Sequence, residues 1–305
     1  MKEEQPILVA VWCLVYNHEP YLRDCFEGFV KQKTNFRYVA VVHDDVSTDN
    51  SAAIIREYAE KYPDIFRPIY ETENQWSKLD GSIEKIMCNA IEELGAKYVA
   101  LCEGDDYWTD PYKLQKQVDF LENHLDYTIC FHRLQCLKQA TGEVVDEYMV
   151  RDMQGKSSVE DLATENYIHT PSVVYRLIPE VMLLLKNLGH CLPGDYVMWM
   201  LLADKGMIWK MEDSMAIYRV GSGIWSTSQS YRKELMIIKT LSKLYVVITN
   251  PQAKQHLAEA ISRMSESNIT YVGYLERQLN QIQHSKAYRL SKAILKPFKW
   301  MKRKF

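Results

Sequence analysis

The sequence predicts an α/β fold, a largely parallel sheet with helices on its faces, followed by a helical extension. Three observations predict it. Strand-like and helix-like segments alternate from Ile7 to Cys102, the pattern of parallel strands joined through crossover helices. The strand-like runs are apolar throughout, as strands covered on both faces are. From Tyr231 onward the apolar residues recur at helical spacing.

The run ILVAVWCLVYN, Ile7 to Asn17, is rich in β-branched residues and reads as a buried strand. PYLRDCFEGFVKQ follows, with Leu22, Phe26 and Phe29 at helical spacing and Pro20 near the first helical position. YVAVVHDD is a second strand. STDNSAAIIREYAEKYP opens with a run of N-cap residues and closes before Pro63, which bounds a second helix. A weaker strand, RPIYET, precedes the helix SIEKIMCNAIEELG, after which Gly95 suits the C-cap. KYVALCEGDD is a strand with an acidic end. Beyond the helix PYKLQKQVDFLENH the alternation weakens. YTICFHRLQCL and GEVVDEYMV read as a hairpin, PSVVYRL and MIWKMEDSMAIYRV as strands, and PGDYVMWMLLADKG as a helix opening with an acid. No repeat or low-complexity linker interrupts the chain. The expected organisation is an α/β domain over residues 1–226 and a helical extension over residues 227–305.

Composition narrows the function classes. The chain has 305 residues, 47% hydrophobic and 25% charged, enough to bury a full core. No apolar run reaches the ~18 residues that a membrane span requires, and MKEEQP lacks the basic-then-apolar order of a secretion signal. Seven cysteines without a Cys-x-x-Cys pair suggest reduced thiols in a cytoplasmic setting. The net charge of −3 conceals an asymmetry: residues 284–305 hold eight Lys or Arg and no acid, leaving 29 − 40 = −11 for the rest. An acidic body is unsuited to general nucleic-acid binding, so no nucleic-acid partner is expected. In the tail, Ala287, Leu290, Ile294, Phe298, Met301 and Phe305 follow helical spacing between the basic residues, with Pro297 as a break. That pattern suits a membrane surface or the protein's own acidic body.

Two acid clusters carry the chemistry. EGDD (Glu103 to Asp106) and HDD (His43 to Asp45) each end an apolar strand, and ligands of parallel sheets bind beyond the carboxyl ends of the strands. Taken singly, EGDD suits a solvated turn, and HDDVSTDNS could cap a helix or favour its dipole. Together they describe one edge of one sheet. Clustered carboxylates call for a cation or a shared proton, and Mg²⁺ usually takes one or two carboxylates and completes its shell with phosphate oxygens. Neither Gly-x-Gly-x-x-Gly nor a P-loop is present. Tyr16, past the first strand, is placed to be core or to stack on a base.

The segments CLVYNHEPYL, VVHDDVSTDNS and ALCEGDDYWTDPYKLQKQVDFL, with GDYVMWMLLADKG and AIYRVGSGIWS after them, resemble the inverting family 2 glycosyltransferases of bacterial cell-surface polysaccharide synthesis. The resemblance covers roughly Ile7 to Ser226. It implies the GT-A fold, a Rossmann-like mixed sheet flanked by helices, and transfer of a sugar from a nucleotide donor, a UDP-sugar, to a glycan or lipid-linked acceptor. By position, Tyr16, Asn17, Asp44 and Asp45 would meet the nucleoside, with Asp45 accepting from uracil. Glu103 and Asp105 stand at the Asp-x-Asp positions near ribose and metal, and Asp106 would share the Mg²⁺ or Mn²⁺. Asp195 fits the general base, and His169, Thr170 and Ser172 the acceptor side. The pattern departs at Glu103, where Asp is usual, at Gly221, near which relatives have His, and at Cys88, near which relatives have Arg before Asn89. Lys85 is the substitute for that Arg. A cytoplasmic enzyme held to the inner membrane face through residues 284–305 is the expected setting. Two rivals stand beside it: a catalytically inactive module that binds a nucleotide sugar or a glycan, and a sugar nucleotidyltransferase, which would want a Gly-rich basic loop after the first strand.

Overall fold

The structure, a computed structural model, describes residues 5–146, 155–221 and 230–284. The strands β1 (Ile7–Val15), β2 (Arg37–Asp44), β3 (Phe66–Tyr70) and β4 (Tyr98–Leu101) run parallel, with β1 between β2 and β4 and with β3 outside β2. Register aligns Val15 with Asp44, and Asp44 with Tyr70. Residues that follow these strands therefore share one sheet edge. The mixed half is less regular. Strand β6 (Tyr127–Lys138) runs parallel to β10 (Met207–Val220), and β9 (Val174–Arg176) lies antiparallel to both β4 and β6. Short strands β5 (Tyr107–Trp108) and β8 (Lys156–Ser157) pair with β10, and β7 (Val144–Asp146) pairs with β6. The expected hairpin is this β6–β7 pair, although β6 makes its longer ladder with β10. Part of GEVVDEYMV, residues 147–150, lies outside the described residues.

Helices α1 (Leu22–Val30), α2 (Ser51–Lys61), α3 (Ser82–Glu93) and α4 (Lys113–Asn123) form where apolar spacing places them. Pro20 precedes α1 in a turn. Helix α1 buries Leu22, Cys25, Phe26 and Phe29, and its Phe26 and Phe29 rings meet Phe66 at 4.9 and 6.3 Å. Gly28 is required there: a Cβ would stand 2.9 Å from the Trp108 backbone nitrogen, so only glycine lets α1 reach β5. After α4 come α5 (Val159–Thr164), α6 (Pro179–Leu188) and α7 (Gly194–Ala203). Neither α5 nor α6 was anticipated from the sequence. The predicted helical extension contains α8 (Ser230–Val247) and α9 (Pro251–His284). Its basic tail, residues 285–305, lies outside the described residues.

The chain divides into two units, Met1–Ala258 and Glu259–Phe305. The first contains the whole sheet and also α8, whose Thr240 accepts the Leu192 N–H at 3.0 Å. The described part of the second is helical, with Ile269 exposed. Among the described residues no helix is long and apolar enough to cross a membrane.

Candidate active site

The two acid clusters meet at the carboxyl edge of β1, β2 and β4. Backbone bonds fix them there: Asp45 N donates to Val15 O at 3.0 Å, and Gly104 N donates to Leu14 O at 3.0 Å. Gly104 has no room for a side chain, since a Cβ would lie 2.8 Å from His18 Nδ1. His18 thus covers the acid motif, and burial lowers its pKa against the raising influence of Asp105 and Asp49.

The loops that carry Tyr16 and Asn17 are fastened to the loop after β2. Asn17, in the left-handed region at φ 57°, accepts from Thr48 N at 2.7 Å and donates its own N–H to Ser47 Oγ at 3.0 Å. Glu19 N donates to Asp49 Oδ2 at 2.9 Å, and Glu19 accepts from Asn50 N at 3.0 Å. The polar run STDN therefore works mainly across loops. The α2 N-cap residue, Asn50, makes no side-chain capping bond, while Asp49 accepts the Ser51 N–H at 2.9 Å. Val46 holds φ 63°, a conformation that is costly for a β-branched residue. Tyr16 is 41% exposed beside these loops.

Asp44 and Asp45 are both buried but differ in their partners. Asp45 accepts Gln75 N at 2.6 Å with one oxygen and Trp76 N at 3.0 Å with the other. Each oxygen keeps a second lone pair. Asp44 Oδ1 is buried with no hydrogen-bond partner among the described residues. Behind them, His43 Nε2 lies 3.3 Å from Glu71 Oε1. Lys85 is exposed on α3 with Asp80 as a charge neighbour. Cys88 is buried, and Asn89 Oδ1 accepts from Lys186 Nζ of α6 at 3.4 Å.

Asp105 acts on both Glu103 and Asp106, and Asp195 acts on Glu103. Burial first, then Asp105 and Asp195, raises the Glu103 carboxyl pKa. The Glu103 residue is open to solvent, which tempers the burial contribution but leaves the repulsion. Asp106 is 1% exposed, and burial, Asp105 and other neighbours raise it well above the ordinary carboxylate range. Its Oδ1 accepts the Arg219 backbone N–H at 2.8 Å, while the Arg219 guanidinium pairs with Asp24 Oδ2 at 2.6 Å and stacks near Tyr21 and Tyr107. Asp195, in the first turn of α7, is raised by burial and partly lowered by bonds from Tyr196 N at 2.7 Å and Thr170 Oγ1 at 3.4 Å.

The Thr170–Ser172 turn beside Asp195 rests on a buried polar pillar. Trp108 Nε1 donates to Pro171 O at 3.0 Å, and Gln117 Nε2 donates to Ser172 O at 2.9 Å and Cys130 O at 2.7 Å. Lys113, fully buried, donates to Gln117 Oε1 at 2.8 Å and lies 4.4 Å from the Trp108 ring centroid. Burial pushes its pKa down to about 7. The Ser172 hydroxyl donates to His169 O at 2.6 Å, and burial pushes the His169 ring down to about 4. Tyr218 of β10, absent from the sequence reading, lies against His169 with ring centroids 4.8 Å apart.

A hard cation fits the chemistry of this cluster. Burial and neighbouring carboxylates raise the pKa values of Glu103 and Asp106, and burial raises that of Asp195, so positive charge beside them would relieve these penalties. Among the described residues, no three His, Cys, Asp or Glu side chains converge to hold a metal ion unaided. Glu103, Asp105 and Asp106 would hold one in company with oxygens from a ligand.

Residues 11–165, which include both acid clusters, match glycosyl transferase family 2. The chain belongs to that family. An uncharacterized protein of Mycobacterium tuberculosis is 35% identical over 227 residues, covering 74% of this chain and 63% of that one. The chain thus spans less than two thirds of that relative's length. A protein of Nostoc sp., described as an uncharacterized glycosyltransferase, is 29% identical over 222 residues, 67% of this chain and 62% of its own. Among solved structures, S. aureus TarS 1-349 in complex with UDP-GlcNAc superposes with a TM-score of 0.61 at 16% identity, over 85% of this chain and 71% of that one. The mannosyltransferase PcManGT from Pyrobaculum calidifontis, in complex with GDP-Man and Mn²⁺, gives 0.51 at 16% identity, over 96% and 87%. The fold is GT-A, as the sequence implied.

Proposed function

We propose that this family 2 protein is an inverting glycosyltransferase that moves a sugar from a nucleoside-diphosphate donor, a UDP-sugar, to a hydroxyl of a glycan or lipid-linked acceptor in cell-surface polysaccharide synthesis. The observation that carries the reading is the approach of Asp195 to Glu103 of the acid motif, although the two lie 92 positions apart (195 − 103), at the carboxyl edge of the sheet where ligands of such folds bind. TarS and PcManGT, with sugar nucleotides in sites of the same fold, support a donor of that class.

Each side chain has a definable task in this reading. Tyr16, Asn17, Asp44 and Asp45 receive the nucleoside, with the orphaned Asp44 Oδ1 and the spare lone pairs of Asp45 as acceptors. Lys85 is the basic group nearest in sequence to the diphosphate position. Glu103 faces the ribose, and Asp105 and Asp106 hold Mg²⁺ or Mn²⁺. That cation, when bound, would supply Lewis-acid stabilisation of the departing diphosphate. Asp195 takes the proton of the acceptor hydroxyl, and its hydrogen bonds from Thr170 and Tyr196 fix the carboxylate's orientation. His169 and Thr170 border the acceptor, with Ser172 holding their turn. Residues 1–226 would form the transferase domain and residues 227–305 the extension, with its tail on the inner membrane face.

The test is a thermal-shift and turnover series with UDP, UDP-GlcNAc and GDP-mannose, each with Mn²⁺, Mg²⁺ or EDTA. Stabilisation that needs the metal and is lost in Asp105→Asn is expected, since a ligand that binds only the folded state raises stability by mass action. Metal-independent binding would remove the cation from the reading. Binding without turnover on any glycan acceptor would favour the inactive sugar-nucleotide module.

A further inference from the structure

Helix α8 lies beyond the segment that matches family 2, and the reading so far gives it no task. Its side chains close on the loop between α6 and α7, which leads into Asp195. Lys243 Nζ donates to Leu188 O at 2.5 Å, to His190 O at 3.0 Å and, more weakly, to Cys191 Sγ at 3.7 Å. An ammonium has three N–H donors, and this one spends them all on a single loop. Thr240, 2% exposed, accepts the Leu192 N–H at 3.0 Å. The start of α3 meets the same loop: a Cβ on Gly81 would lie 2.8 Å from Gly189 Cα.

Both ends of the loop need partners from outside. Leu188 ends α6, and the last carbonyls of a helix have no acceptor role within it. A cation there satisfies them and suits the helix dipole. At the other end, Pro193 holds the N-cap position of α7 and offers no side-chain cap. The first turn of α7, which carries Asp195, is therefore located by the loop ahead of it. The Asp195 carboxylate takes one bond from Tyr196 N of its own turn and a longer one, 3.4 Å, from Thr170 Oγ1. A shift of the loop would carry the carboxylate with it.

We propose that α8, through Thr240 and Lys243, positions the loop that sets Asp195 for proton abstraction, so that the first helix of the extension is a working part of the transferase. Thr240 and Lys243 are positioning residues, acting through Asp195 rather than on a substrate. The inference rests on the reading of Asp195 as the base.

The experiment compares the full chain with Thr240→Val, Thr240→Ser and Lys243→Met. Valine keeps the branched shape and removes the acceptor, serine restores the hydroxyl, and methionine removes the ammonium donors. Affinity for UDP and GDP in Mn²⁺ is read by calorimetry. Turnover is read as diphosphate released from UDP-GlcNAc and GDP-mannose, and loop order as hydrogen exchange over residues 188–196. In Thr240→Val and Lys243→Met, kcat should fall by about 10- to 100-fold, the scale of a misplaced catalytic group, while diphosphate affinity stays within about twofold. Loop amides should exchange faster in both, with those of β1, β2 and β4 unchanged, and Thr240→Ser should keep most of the wild-type rate. Wild-type kcat in both Thr240→Val and Lys243→Met overturns the role of α8 and leaves the base reading standing. So does a parallel loss of kcat and diphosphate affinity, which marks a general loosening. A wild type that turns over neither sugar nucleotide overturns the transferase reading, and the role of α8 with it.

Discussion

The indole N–H of Trp108 donates to the carbonyl of Pro171 at 3.0 Å and so joins the segment that follows the acid motif to the turn that holds Thr170 against Asp195. The two residues are 63 positions apart, and both groups are buried. Trp108→Phe would keep an aromatic ring beneath Lys113 but orphan the Pro171 carbonyl. We expect a loss of about 1–3 kcal/mol, the desolvation cost of an unpaired buried group, measured by urea denaturation. Transfer should fall as well, because the turn that orients Asp195 loses its anchor. A variant as stable as the wild type would show that water takes over the bond.

The acid cluster should make the protein less stable than it could be. Asp106, 1% exposed, has its pKa raised by burial first and by Asp105 next. A carboxyl whose folded pKa lies above its unfolded value contributes stability below the ordinary carboxylate range and loses that contribution as pH rises through the folded pKa. Asp106→Asn keeps an oxygen for the Arg219 N–H and removes the charge. At neutral pH we expect it to raise stability by about 1 kcal/mol, or roughly 2–4 °C in Tm, while weakening metal-dependent nucleotide binding. A fall in Tm in metal-free buffer would show that the carboxylate is already compensated.

The basic tail should direct the protein to anionic membrane surfaces. Basic residues near an anionic bilayer contribute about 1 kcal/mol each, and residues 284–305 supply eight without an acid among them. Co-sedimentation with phosphatidylserine vesicles at low salt should retain the full chain and release a chain truncated before His284. Equal partition of the two would place the tail's attraction elsewhere, for example on the acidic body.

Much of this site was legible because a parallel sheet sends every strand end to one edge, so apolar runs ending in acids announce where ligands bind. Glu103, Asp105 and Asp106 follow from that rule alone. Asp195 could be placed in its first helical turn, but its meeting with Glu103 is tertiary. Lys113 and Gln117, four apart on α4, look like a solvated helical pair; the packing of α4 against β6 and β9, with Trp108 over Lys113, buries them. Tyr218 sits in a strand of ordinary alternation, where an aromatic carries no signal of function. Helix α6 did carry one: Pro179 occupies its first position, ahead of the buried Val181, Met182 and Leu185. The two bonds from Gln75 and Trp76 to Asp45 cross 30 and 31 residues and leave no mark in the sequence.

Asp195 provides the pH test of mechanism. Burial raises its carboxyl pKa, and hydrogen bonds from Tyr196 N and Thr170 Oγ1 pull it partly back. A general base works only when deprotonated, so kcat/KM should climb as pH rises through the folded pKa and level off above it. Glu103 is raised in part by Asp195, so the limb belongs to the pair until variants divide it. Thr170→Val removes one of the bonds that lower the Asp195 pKa and should move the limb to higher pH, leaving the plateau less affected. Asp195→Asn should abolish the limb and cut transfer by about 10²–10⁴ while nucleotide affinity survives, since the side chain keeps its shape and loses only its basicity. Should Thr170→Val leave the limb in place while Asp195→Asn still transfers at the wild-type rate, the proton leaves through another group, and Glu103 is then the carboxylate to replace.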